Sequence, residues 1–550
     1  MDRKTFSSWA AALALSPAFW LLAGERPAMA HPSGDPACYQ PPFSLLISPC
    51  VPHDVPAGAS ATVADLAFFA WQEFIALNWV ASVPASTKVR GRAAPDTDPS
   101  SGFLGVTADS NGEYPLVVWQ TYRHKNELFP YGATTDPSFD SAVPVYRYQG
   151  NPPTPATGGP IPSFSLFNNL DETSQIGLTN MYAHASSLVQ PPISGPGAGP
   201  ATGVRVAYEA KVNRAVFDYL NQKGYTSPAN NYGALGTATG NTAGFNAAGV
   251  NNLTKYGGIC TQPDTTPIVM LPCGDINVPG DPGEGAIEIK AAWRQLTQAE
   301  QSEGRFFTRK VIYYTGPQGN QRYNNEVWGL IALHIIHKTK SFPAFVFATW
   351  EQVDNYADGT ANPNSESLAF QNVLPATLAN IELTRAHAIH SEVASTNDSV
   401  HTAFKAADPD TIWQYYKLVG VQATPQNQPT AGASADELSY YYLANIVVES
   451  NQTLQNFFGQ APDGLPKYFQ NVFLNGAPGS PFVMGGCQGC HGFQGQNEGG
   501  DMSRLIAAAP YNSWQAESLD ASPTASIRTH IHRSRGTLHE DGLSVKQFPH

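Results

Sequence analysis

The stretch "EVWGLIALHIIHKT", residues 326–339, is apolar over most of its length and rich in β-branched and aromatic residues. Three further segments share this character and an apolar spacing of two: "AIEIKAAW" at 286–293, "RFFTRKVIYY" at 305–314 and "FPAFVFATWEQV" at 342–353. Alternation with a period of two, bounded by turn residues, is typical of β-strands. These four segments predict the strands of one antiparallel sheet.

Other parts of the chain have apolar residues at helical spacing. Thr62 with Asp65, and Ser434 with Glu437, have the spacing of a capping box at a helix start. Helices are therefore predicted at 62–80, 115–129, the second half of 203–224, 375–395 and 434–459. The predicted fold class is α+β: a large mixed domain with an antiparallel sheet, followed by a mainly helical C-terminal segment.

The N-terminal residues 1–30 combine Arg3 and Lys4, an apolar run, and Ala28-Met29-Ala30. This order is typical of a secretory signal peptide, and cleavage after Ala30 is expected. A retained N-terminal anchor is the alternative. The expected organisation is a signal peptide at 1–30, a large α+β domain with long Pro/Gly-rich loops at 31–425, and a separate C-terminal region at 434–550. Export in this way predicts a periplasmic protein.

The charge balance excludes some classes of partner. The chain has 31 Lys and Arg against 44 Asp and Glu, a net charge of −13. Nucleic-acid binding is not expected, because the chain is acidic and has no basic tract. No membrane span is expected in the mature chain, since no long uncharged apolar stretch follows the signal peptide.

All six cysteines lie after the signal peptide. Cys38 with Cys50, and Cys260 with Cys273, are close pairs in turn-rich sequence, and each pair is expected to form a local disulfide in an oxidising compartment. Cys487 and Cys490 remain.

Cys487 and Cys490 belong to "CQGCH", which ends at His491. Cys-x-x-Cys-His is the attachment sequence of c-type haem. Two thiols at this spacing can each add to one vinyl group of the porphyrin, and the histidine that follows can ligate iron. Three alternatives stay open: a thioredoxin-type redox pair, a zinc site and a structural disulfide.

On this motif and the helix predicted before it, the C-terminal region resembles the c-type cytochromes. The resemblance implies one covalent haem c, with His491 as the proximal iron ligand. In that family a downstream methionine or histidine supplies the sixth ligand. The candidates here are Met502, His530 and His532, although Met502 follows the motif more closely than is usual in the family.

Two further histidine pairs lie in the large domain. His334 and His337 are expected on opposite faces of a strand, so they cannot both bind one metal. His387 and His390 are expected on one side of the helix at 375–395. That spacing is compatible with a second metal site, and a polar helix face is the alternative.

The resemblance implies electron transfer in the periplasm, with the chain as an oxidoreductase component. A haem enzyme with an open sixth iron position, peroxidase- or oxygenase-like, is one alternative. A non-enzymatic haem sensor or scaffold is another. The acidic charge favours a basic cytochrome or other electron carrier as redox partner. A small-molecule substrate is a further possibility, for which no sequence motif names a chemical class.

Overall fold

We describe the protein from a computed structural model. The structure describes residues 47–82, 90–94, 97–141, 143–149, 154–155, 165–173, 206–227, 235, 258–265, 268–274, 283–296, 298–317, 320–353, 367–369, 382–384, 388–424, 426, 429, 431–445, 448, 485–489, 491, 500–507 and 515–519.

A mixed sheet organises these residues. Its path of hydrogen-bonded strands is β1-β5-β6-β8-β7-β3, with β9 and β12 continuing from β8, β4 on β5 and β2 on β8. A separate two-stranded sheet pairs β10 with β11. The strands are β1 Arg123–His124, β2 Thr154–Pro155, β3 Asn169–Leu170, β4 Glu172–Thr173, β5 Ala207–Val212, β6 Ile287–Gln295, β7 Thr308–Thr315, β8 Arg322–His337, β9 Val346–Gln352, β10 Ser367–Ala369, β11 Glu382–Thr384 and β12 Tyr416–Gln422.

The four predicted strands are confirmed as β6, β7, β8 and β9, and they pair antiparallel. The 16-residue strand β8 lies at their centre. One of its edges pairs with β6, and the other pairs first with β7 and then with β9. Strand β12, which the sequence pattern did not predict, pairs with β9. The apolar, β-branched character of 326–339 thus reflects a strand that is hydrogen-bonded on both edges and buried over its second half.

Eight α-helices are described, and several consist of a single turn. They are α1 Val63–Leu77, α2 Lys125–Leu128, α3 Arg214–Gln222, α4 Gln298–Glu303, α5 Ser391–Ala407, α6 Ala435–Tyr441, α7 Gly486–Gln488 and α8 Arg504–Ala507. Short 3-10 or π turns occur at Gly58–Ser60, Ser100–Leu104, Val118–Thr121, Ser165–Phe167 and Ile412–Tyr415. Both predicted capping boxes are present, at the starts of α1 and α6. The helix predicted in the second half of 203–224 is confirmed as α3, and strand β5 directly precedes it.

Three helix predictions need correction. Residues 115–129 hold a 3-10 turn, strand β1 and the single-turn helix α2, because His124 caps α2 and ends the extended segment. In 375–395, the described part contains β11, and helix α5 begins only at Ser391 with His390 as its N-cap. Helix α6 ends at Tyr441, and soon afterwards the Asn445 amide donates to Thr349 Oγ1 and the Trp350 carbonyl of β9.

The half of β8 that pairs with β9 is covered by different elements on its two faces. On one face, helices α1 and α5 pack through a cluster of aromatic rings that includes Trp71, Phe74, Trp350 and, from α5, Phe404. His337 also faces this side, where its Nδ1 contacts Glu73 of α1. His334 lies on the opposite face, three residues away along the strand, as the alternation of a strand requires.

The α+β class is therefore confirmed, as an extended mixed sheet with helices packed on it. Most of 434–550, including the second half of the predicted helix, lies outside the described residues, as does the signal peptide at 1–30. No helix in the described part of the chain is long and apolar enough to cross a membrane. The disulfide Cys260–Cys273 is confirmed. Cys50 is also disulfide-bonded, and its predicted partner Cys38 is not among the described residues.

Candidate functional site

The Cys-x-x-Cys-His motif begins in a tight turn on the sheet face opposite α1. Gly485 and Gly486 have φ values of 67° and 71°, in the left-handed region that glycine adopts without a steric penalty. The single-turn helix α7, Gly486–Gln488, follows and carries Cys487. Cys490 lies outside the described residues, whereas Cys487 and His491 are both described.

Strand β12 holds this turn through Gln422. The side-chain oxygen of Gln422 accepts a hydrogen bond from the Gln488 backbone N–H at 2.7 Å, and its amide donates to the Gly485 carbonyl at 2.9 Å. The Gln488 side-chain amide in turn donates to three carbonyls, those of Ala344, Phe345 and Ala423. Gln488 is completely buried. Gln488 lies between the two motif cysteines, and the sequence assigned it no role. Its hydrogen bonds therefore anchor the motif to the sheet.

Cys487 is partly buried at the edge of the main hydrophobic core. Its sulfur lies 3.7 Å from the Leu443 carbonyl, just beyond the end of α6. Burial raises the pKa of the neighbouring Tyr440 to about 12, to which the charge of a Cys487 thiolate would contribute. Cys487 is a thiol in this structure.

His491 packs against β9 and turns one ring nitrogen to the backbone. Its ring centroid lies 4.8 Å from that of Phe347. Nδ1 is 3.2 Å from the Met502 carbonyl oxygen. A carbonyl only accepts, so Nδ1 carries the proton and the neutral ring keeps its lone pair on Nε2. Burial lowers the pKa of His491 to about 4; the Met502 carbonyl opposes this shift, and the positive charges of Arg504 and Lys290 add to it.

His334 lies on the same sheet face as the motif. It pairs with Lys290 of β6 and with Thr349 of β9, and the next residue of that face, Ile336, pairs with Phe347. Burial lowers the pKa of His334, and the charges of Lys290 and His491 lower it further. Both histidines therefore favour the neutral form that a metal ligand requires.

Residues 500–507 lie beside the motif. Asp501 and Met502 have φ values of 57° and 67°, which is unusual for residues other than glycine. The Asp501 carboxylate contacts Lys338 Nζ and accepts a hydrogen bond from the Leu271 N–H at 2.8 Å. Met502 is completely buried. The Met502 carbonyl, which accepts the hydrogen bond from His491, therefore belongs to a segment that the contacts of Asp501 hold in place.

Within the described ranges, no group of three or more His, Cys, Asp or Glu side chains could hold a metal ion. The donor set around His491 fits another mode of attachment, in which sulfur binds the organic ring and a single imidazole binds its iron. A protonated Nδ1 with an acceptor leaves Nε2 to act as that ligand.

The structure leaves several predicted residues untested. His530 and His532, two candidates for a sixth ligand, lie outside the described residues, and so does His387. His390 is the N-cap of α5, where its Nδ1 accepts from the Glu392 N–H, so it does not lie on a helix face.

Sequence reasoning did not identify Gln422, Lys338 and Asp501 as parts of this site. Gln422 and Lys338 lie far from the motif in sequence, and Asp501 follows His491 by 10 residues; each contributes a hydrogen bond or ion pair that depends on tertiary contact. Lys338 was visible only as the charged residue directly after the apolar strand. No family model, curated protein or solved structure matches this chain.

Proposed function

We propose that this protein is a periplasmic mono-haem c-type cytochrome that acts in electron transfer as an oxidoreductase component. Cys487 and Cys490 hold the haem through two thioether bonds, and His491 is the proximal iron ligand. The hydrogen bond between His491 Nδ1 and the Met502 carbonyl is the observation that carries this proposal, because it leaves Nε2 as the metal-binding nitrogen of a Cys-x-x-Cys-His motif.

The chain's own residues orient the site and set its charge. A bound haem would supply reversible one-electron chemistry at iron. His491 is held by Phe347 on one side and by the Met502 carbonyl at Nδ1. The cationic side chains of Lys290 and Arg504 lie close enough to lower the pKa of His491. They are suited to offset the carboxylates that a haem carries.

The size of the large domain supports a role beyond a simple carrier. A minimal cytochrome needs only about 100 residues, whereas the sheet and its helices occupy a far longer chain. This domain is suited to bind a partner or a small-molecule substrate near the haem. With a net charge of −13, the surface favours a basic electron carrier as partner.

Expression of the full chain in a bacterium that attaches haem covalently tests the assignment. The mature protein should be coloured, and its intact mass should exceed the polypeptide mass by one haem. Cys487→Ser should reduce attachment to one thioether or abolish it, and His491→Ala should destroy the low-spin spectrum. His401→Gln is the matched control, because His401 bonds the Tyr416 carbonyl on the helical side and glutamine can keep that bond. A colourless wild type with the bare polypeptide mass would contradict the proposal.

An optical spectrum of the reduced protein with and without CO separates the alternatives. A six-coordinate electron carrier should not respond to CO. A peroxidase- or oxygenase-like enzyme should bind it, because its sixth position is open. A sensor or scaffold haem would support no turnover with any electron donor.

A further inference from the structure

We propose that the buried ion pair between Lys338 and Asp501 is a positioning device for His491 and acts through the Met502 carbonyl. The inference rests on the proposed function, since it concerns the imidazole that would bind iron. It assigns Asp501 and Lys338 as positioning residues. Met502 then orients the proximal histidine through its backbone.

The ion pair is isolated from solvent. Lys338 is completely buried and Asp501 is 1% exposed. A buried pair of this kind is costly to form, and loss of one partner leaves an uncompensated charge. Asp501 Oδ2 contacts Lys338 Nζ and also accepts from the Leu271 N–H at 2.8 Å. The carboxylate is therefore fixed from two directions.

The fixed carboxylate explains an unusual backbone. Asp501 and Met502 are consecutive residues with positive φ, and each such residue needs support from its surroundings. The contacts of Asp501 provide that support. Because the backbone turns in this way, the Met502 carbonyl points at His491 Nδ1 at 3.2 Å.

A disulfide-closed loop supports the same device. Lys338 Nζ donates to the Ile259 carbonyl at 3.5 Å, next to Cys260, and Leu271 precedes Cys273 by two residues. The groups that bond Lys338 and Asp501, the Ile259 carbonyl and the Leu271 N–H, therefore both lie close to the Cys260–Cys273 bridge. The ion pair connects this loop and the end of β8 to the residue that faces His491.

The geometry also bears on the role of Met502. Its carbonyl lies beyond Nδ1, whereas a bound iron would lie beyond Nε2. Met502 is thus on the side of the imidazole away from iron, which suits an orienting role better than that of a sixth ligand. A carbonyl acceptor at Nδ1 raises the basicity of the ligating nitrogen. Its loss should therefore favour the reduced iron and raise the reduction potential.

The experiment compares wild type, Asp501→Asn and Glu300→Gln as holoproteins. Asparagine tolerates positive φ and can still accept from Leu271, so Asp501→Asn removes mainly the charge that pairs with Lys338. Glu300→Gln is the control, because it weakens the Arg294–Glu300 ion pair elsewhere on the sheet. In Asp501→Asn, the reduction potential should rise and the Nδ1 proton of ¹⁵N-labelled His491 should exchange with solvent at least tenfold faster. Glu300→Gln should change neither quantity.

The outcomes separate this inference from the proposed function. Covalent haem with an unchanged potential and unchanged proton exchange in Asp501→Asn would overturn the inference and leave the function standing. Absence of covalent haem from the wild type would overturn both. If Asp501→Asn does not fold, the wild type still decides: a Nδ1 proton that exchanges as fast as that of a solvent-exposed imidazole would overturn the inference, and a protected proton would support it.

Discussion

Gly486 lies directly against the side-chain amide of Gln422, with no room for a methyl group between them. A Cβ at Gly486 would be 2.3 Å from Gln422 Nε2 and 2.6 Å from Oε1. The same amide bonds the backbone on both sides of Gly486, at Gly485 and Gln488. The turn that presents Cys487 therefore depends on a glycine for two separate reasons, its φ of 71° and the closeness of β12.

Gly486→Ala should lower the free energy of unfolding by about 3 kcal/mol and reduce covalent haem attachment. About 1 kcal/mol comes from the left-handed backbone, and the rest comes from the clash with Gln422. Gly132→Ala is the control, because Gly132 has a φ of 63° and open space around its Cβ position. Urea unfolding followed by tryptophan fluorescence measures both. Equal losses in the two variants would show that the contact with Gln422 is unimportant.

The contact between Glu73 and His337 should stabilise the packing of α1 on the sheet. Both side chains are completely buried. His337→Ala should cost about 3 kcal/mol, because it leaves the Glu73 carboxyl without its partner. Glu73→Gln should cost about 1 kcal/mol, since glutamine keeps a hydrogen-bonding group near the ring. Denaturant unfolding checks the order, and a larger loss in Glu73→Gln than in His337→Ala would contradict it.

The Glu284 carboxyl should make stability fall as pH rises. Burial raises the pKa of Glu284 to about 7, against the opposing charges of His337, Arg214 and Arg92. Between its ordinary pKa and this raised value, the folded state binds more protons than the unfolded state. This contribution is thus fully present below about pH 4.5 and is lost as pH rises through about 7.

Comparison of wild type with Glu284→Gln isolates that contribution. Between pH 5 and pH 8, the free energy of unfolding of wild type should fall by about 2 kcal/mol more than that of the variant. Urea titrations at four or five pH values measure the difference. Parallel curves for the two proteins would show that the Glu284 pKa is not raised.

Removal of the Cys260–Cys273 disulfide should destabilise the protein without removing haem. The bridge spans 13 positions in sequence, and a loop of this size contributes about 3 kcal/mol. The double variant Cys260→Ser, Cys273→Ser should therefore unfold at lower urea concentration. On the proposed function, intact mass should still include one haem, because the proposed thioether sulfurs are those of Cys487 and Cys490. Loss of haem from a folded double variant would contradict this expectation.

The sequence predicted best where one local pattern determined the structure. The strands around 326–339 and the capping boxes of α1 and α6 were visible because alternation and cap spacing involve neighbouring residues. The helix predicted at 434–459 was wrong at 442–445, since the helix ends at Tyr441 and Asn445 binds β9; residues 449–459 lie outside the described part of the chain. Apolar periodicity does not report such a tertiary hydrogen bond.

The sequence likewise revealed only some residues of the candidate site. The motif around His491 was visible because its chemistry requires a fixed spacing. The anchors Gln422 and Asp501 were not, since a glutamine or an aspartate has no sequence signature for the carbonyl or ammonium group it will meet. The positive φ of Met502 was equally hidden, because methionine rarely adopts it.

Strand β8 separates two histidines by three positions, one towards the helices and one towards the motif. A strand changes sides at every residue, so a slip of one position would turn His337 out of the aromatic cluster and His334 into it. Single-residue insertions or deletions within 326–337 should therefore disrupt the packing on both faces of the sheet at once. Insertions and deletions should be tolerated only in the connections between strands.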